Sequence, residues 1–178
     1  MKKKIFTWVS ILHMAAFLFT GCGGDAALDQ YYTDMEQFTS QASIHFSTLN
    51  GIDPSSATAV DEMLAAMDQL AASFQSLADI NVPKQFTSVE NLADEAGSYM
   101  TEAASLYHQA YGDGNYHEDI AAAALENYNR AVKRMDYISE ILQGEMPSDD
   151  SITITTENSA PGFKEDGQPQ SDGEGAEN

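Results

Sequence analysis

Four stretches of this chain repeat apolar residues every three or four positions, and each ends in a cluster of residues that cannot continue a helix. The first runs from about Leu28 to Leu49, with Leu28, Tyr31, Met35, Phe38, Ala42, Phe46 and Leu49 on one face. Gly51-Ile52-Asp53-Pro54 stops it, and Asp53 is suited to cap the next helix with Pro54 at its first position. The second presents Val60, Met63, Met67, Leu70, Phe74 and Leu77, up to Asn81-Val82-Pro83. The third carries Phe86, Val89, Ala93, Ala96, Met100, Ala103, Leu106 and Ala110 before the turn signal Gly112-Asp113-Gly114-Asn115. The fourth offers Ile120, Ala124, Tyr128, Ala131, Met135, Ile138 and Leu142, with Gly144 placed to end it and Pro147 beyond. No β-branched run alternates between them. Long helices joined by short connections pack as antiparallel neighbours, so the pattern predicts an all-α, antiparallel up-down four-helix bundle over residues 28–144.

The flanks are built differently. Residues 145–178 hold nine acids against the single base Lys164, with Gly, Ser, Pro and Gln filling most of the gaps. Such a composition buries too little apolar surface to offset the entropy of ordering, and a disordered acidic C-terminal tail is expected. At the other end, Lys2, Lys3 and Lys4 precede the apolar run from Ile5 to Phe19. A cationic start followed by an apolar segment has the layout of a secretory signal. Ser10 and His13 interrupt the run, which falls short of the roughly 20 apolar residues of a permanent span.

The run ends at Phe19-Thr20-Gly21-Cys22, and Cys22 is the only cysteine in the chain. This junction resembles the lipobox of bacterial lipoproteins. The resemblance implies a signal peptide over residues 1–21, a diacylglycerol (and a palmitate-type chain) on Cys22, and a short linker over 22–27. It covers only these first residues. Gly23 is not the Asp that retains such proteins at an inner membrane, which leaves the outer leaflet of a Gram-positive membrane, the assignment adopted, or a Gram-negative outer membrane. In layout the chain resembles the helical lipoproteins of Gram-positive bacteria, cell-wall-binding ones among them. The expected location is therefore the extracytoplasmic face of the cell membrane.

Charge and motifs narrow the function further. Losing three lysines with the signal peptide takes the formal net charge from −20 to −23. A polyanion of this size does not bind nucleic acid through phosphate neutralisation. A lone cysteine excludes a disulfide framework and a Cys-based zinc site. A di-iron bundle needs Glu-x-x-His pairs, but Ala42, Ser105 and Gly114 stand three before His45, His108 and His117. Met35, Met63, Met67, Met100 and Met135 could in principle supply haem ligands, yet at this spacing methionine serves as core filler. The stretch from Asp113 to Asp119 lacks the glycine and terminal glutamate of a calcium loop. No constellation of catalytic groups stands out; neither an enzyme nor a cofactor or metal site is expected.

Two features remain. Arg130, Lys133 and Arg134 form a basic cluster, with Glu126 four residues ahead of Arg130 in good ion-pair order. Tyr107, His108 and Tyr111, followed across the turn by Tyr116 and His117, form an aromatic-histidine tip. Such residues are enriched at interfaces, and they also seal the ends of cores. The sequence thus points to a non-catalytic, lipid-anchored envelope module whose partner is an envelope protein or a cell-wall component. The alternative is a carrier of a metal, haem or small cation.

Overall fold

A computed structural model describes residues 26–112, 114–145 and 147. The expected signal peptide, Cys22 and the acidic tail beyond Pro147 lie outside the described residues. Within them the chain is an all-α, up-down bundle: α1 (Ala26–Asn50), α2 (Ala59–Ala78), a single 3-10 turn (Lys84–Phe86), α3 (Thr87–Tyr111) and α4 (Glu118–Leu142). Each stripe of apolar residues turns inward, except that Val60, in the first turn of α2, stays exposed. Tyr31, Met35, Met67, Leu70, Phe74, Leu77, Val89, Met100 and Ile138 are the largest side chains to be fully buried.

α3 is the hub, packing extensively on both α2 and α4. Its composition permits this, since its buried face is largely Ala93, Ala96, Gly97, Ala103, Ala104 and Ala110, and α4 buries Ala121, Ala124 and Ala131. Small side chains let neighbouring axes approach, because interaxial distance is set by the residues at the contact. Gly97 is the extreme case: a Cβ there would lie 3.1 Å from the carbonyl oxygen of Phe74 and 3.4 Å from the Cβ of Ala78. α1 is held differently. It packs on α2, where Phe38 lies 5.6 Å from Phe74, and reaches the rest through rings, with Phe46 6.2 Å from Tyr128 and Tyr31 5.8 Å from Phe86.

The start of α2 corrects one expectation. Asp53 does not cap it; the helix begins at Ala59, five residues beyond Pro54. Asp53 Oδ1 instead accepts from Ser55 N at 2.9 Å and from Ser55 Oγ at 2.7 Å, and these bonds hold its carboxyl below its ordinary pKa. Ser56 and Thr58 hydroxyls bond to one another, and Thr58 Oγ1 donates to Glu62. Short polar side chains that satisfy local groups in this way compete with helix, and here they hold residues 53–58 as turns. Phe86 is likewise moved, from α3 to the 3-10 turn, where it stays buried. The end of α4 follows expectation. Gly144 takes φ +79°, its N–H donates to Ile141, and Glu145 N–H donates to Glu140, the paired bonds of a Schellman turn.

Candidate functional site

The up-down topology brings the α1–α2 and α3–α4 connections to one end of the bundle and the α2–α3 connection with the α4 terminus to the other. The aromatic-histidine tip occupies the first end. Tyr111, in the last turn of α3, and Tyr116, in the connection, hold their rings 5.2 Å apart. Tyr107 lies one turn deeper, half-buried, and burial, then the neighbouring Tyr111 and Tyr116, push its hydroxyl above the usual tyrosine pKa. Burial, then Tyr107, push Tyr128 of α4 up to about 12. These four tyrosines and Phe46 thus run as one aromatic series from the surface into the core. Tyr116 is the exposed member, at 59 % of its accessible surface.

The two histidines serve separate joints. His108 Nε2 lies 2.9 Å from Asp68 Oδ1, tying α3 to α2 through a solvent-exposed pair. His117 is the N-cap residue of α4; its N–H donates to Ala110 and its carbonyl accepts from Ala121, so its backbone closes the turn. Glycine is required in this connection. A Cβ on Gly112 would sit 2.6 Å from the His108 carbonyl oxygen, and Gly114 has φ +79°.

The basic cluster lies on α4 in the half away from the tip. Arg130 pairs with Glu126 as its spacing predicts. Arg134, only 8 % exposed, bonds through Nε to Glu95 of α3. The guanidiniums of Arg130 and Arg134 lie 5.7 and 5.6 Å from the centre of the Tyr99 ring, and Lys133 Nζ lies 5.6 Å from that of Tyr137. Cations over aromatic faces gain about 0.5–2 kcal/mol according to their desolvation. Glu95, Tyr99 and Tyr137 were not expected at this cluster. The available signal was spacing: Glu95 and Tyr99 are four apart on α3, and Tyr137 is three beyond Arg134. The Tyr137 hydroxyl is buried without a hydrogen-bond partner among the described residues.

Among the described residues no group of three His, Cys, Asp or Glu side chains gathers in a way that could hold a metal ion. None of the described helices is long and apolar enough to cross a membrane. A shallow, open groove between α1 and α2, lined by Ser47, Thr48, Ile52, Glu62, Ala65 and Gln69, brings together one carboxylate and no cation. Comparison with protein-family models, with curated proteins and with solved structures returned no match.

Proposed function

We propose that this chain is a lipid-anchored, extracytoplasmic helical module that binds an envelope partner and carries out no chemistry of its own. The observation that carries the reading is the junction Phe19-Thr20-Gly21-Cys22, with the chain's lone cysteine at the position a lipoprotein signal peptidase exposes. α1 begins at Ala26, four residues after Cys22, so an acyl chain there would hold the bundle against the lipid surface with almost no tether. Two acyl chains, at about 0.8 kcal/mol per buried methylene, hold a soluble domain stably where one does not. The opposite end, with Tyr116 exposed over the Tyr107–Tyr111 base, is then the surface a partner meets first.

Cys22→Ala in the native host tests both parts. The variant should lose labelling by a palmitate analogue and leave the membrane fraction. A photo-crosslinking residue in place of Tyr116 should capture an envelope component from the anchored protein and not from Cys22→Ala. Unchanged membrane retention of Cys22→Ala would refute the anchor, and adducts indifferent to anchoring would refute the contact. Stoichiometric metal or a haem band in the purified protein would replace this reading with that of a carrier.

A further inference from the structure

In an up-down bundle α1 and α4 are neighbours, because α4 closes the ring that α1 opens. Here α1 packs on α2, and α2 and α4 pack on α3, yet α1 and α4 stay apart along most of their length. They meet through the rings of Phe46 and Tyr128, edge to face with centres 6.2 Å apart. Counting from that contact along antiparallel axes, fourteen residues on each helix set Tyr32 level with Leu142. Leu125, Tyr128 and Val132 follow at steps of three and four, and Leu142 lies about four turns beyond Tyr128, so α4 turns one apolar row to the seam. The row is incompletely covered. Leu125 is 46 % exposed, and Tyr128, Val132 and Leu142, with Tyr32 and Phe46 opposite, are only half-buried. The rim of the seam is acidic on both sides. Asp29 and Glu36, three before and four after Tyr32, flank it on α1, which contains no Lys or Arg. Asp136, four after Val132, flanks it on α4, and partial burial pushes its carboxyl above the ordinary pKa. The bases of α4 lie on other faces of that helix, with Arg130 and Arg134 over Tyr99 of α3 and Lys133 over Tyr137.

We propose that the α1–α4 seam is a docking groove for a basic amphipathic helix of a partner protein. The apolar face of that helix lies on Phe46, Leu125, Tyr128 and Val132, and its lysines or arginines lie on Asp29, Glu36 and Asp136. A helix laid in a groove offers anchors at steps of three, four and seven, the spacing of the row it meets. The stretch from Leu125 to Leu142 rises about 26 Å, which accommodates a guest helix of about 17 residues. Charge selects the occupant. A second copy would bring a formal −20 against −20 and set one acidic rim against another. Anionic lipid is repelled for the same reason. A cationic helix meets opposite charge along both edges and brings a partner to the half-desolvated Asp136. This inference goes beyond the contact at Tyr116; it rests on α1 and α4 and is independent of the anchor at Cys22.

The probe is a leucine-lysine peptide of about 18 residues with its leucines at steps of three and four. The full chain, purified in nonionic detergent, carries a photo-crosslinking residue in place of Leu125 or, as a control, of Ser76, exposed on α2. Position 125 should capture the peptide several-fold more than position 76. It should also prefer this peptide several-fold over one of the same composition in scrambled order, and over a leucine-glutamate analogue. Glu36→Gln with Asp136→Asn should reduce capture at position 125 several-fold while the helical signal and Tm stay unchanged. Absence of capture at 125, equal capture at 125 and 76, equal capture of the scrambled peptide, or capture indifferent to the two neutralised acids would each overturn the proposal. Adducts between two chains, or with lipid, in place of peptide adducts at position 125 would overturn it in favour of a second copy or of a membrane surface.

Discussion

Tyrosine accounts for much of what individual residues contribute here, because a ring fills the core while its hydroxyl demands water or a partner. Tyr31 is buried, its hydroxyl has no partner among the described residues, and burial, then the neighbouring Tyr32, raise its pKa. Tyr128 is pushed up to about 12 by burial and then by Tyr107. Both shifts favour the neutral phenol in the fold over the unfolded chain, whose tyrosines titrate near 10. Their contribution is therefore complete below about pH 10 and is lost as pH rises toward the folded value. Urea unfolding between pH 8 and 12 should show stability falling above pH 10. Tyr128→Phe should make that fall shallower, by up to about 1.4 kcal/mol per pH unit. An identical slope in the variant would mean that Tyr128 ionises in the folded protein as freely as in the unfolded one.

Among the helices, α1 should be the first to come away. α3 is clamped between α2 and α4 by close alanine packing, whereas α1 leans on α2 and touches α4 through Phe46 and Tyr128. Local stability follows such differences in buried contact. Hydrogen exchange should find α1 amides opening at lower free energy than those of α3, and Phe46→Ala should lower protection in α1 while leaving α3 and α4 nearly unchanged. Uniform exchange across all four helices would show that α1 unfolds only with the whole. The helices themselves were legible because each apolar stripe is long and ends at glycine or proline; the Gly144 turn was legible for the same reason. The start of α2 was not, since Asp53-Pro54 suits a helix start and an Asx turn equally, and the Ser55, Ser56 and Thr58 hydroxyls tip the balance to the turn. The site was half legible. Spacing along one helix revealed the Arg130–Glu126 pair, and chain order across the turn set Tyr111 near Tyr116, but contacts across helices, such as Arg134 with Glu95 and His108 with Asp68, depend on register between elements that no single stripe encodes.

At the scale of the molecule, direction matters most, because an up-down bundle has two unlike ends. The 25 residues of α1 rise about 37 Å, so an anchor at its start leaves the Tyr111–Tyr116 end about that far from the lipid. The α2–α3 connection and the buried Pro147 share the near end. The negative charge of the bundle opposes lying flat on anionic lipid, since each basic residue near such a surface attracts by about 1 kcal/mol and acids contribute the reverse. This orientation can be measured because Cys22, acylated as proposed, leaves no thiol: a single new cysteine is then the only site for a dye. Tyr116→Cys and Asn81→Cys place that dye at the two ends, both on exposed residues in connections. With acceptor dyes in the membrane plane, energy transfer should be strong from position 81 and weak from position 116. The difference should shrink in vesicles lacking anionic lipid, where repulsion no longer holds the bundle upright. Equal transfer from both positions on anionic vesicles would mean that the bundle lies along the surface, and the aromatic tip would then not be its outermost face.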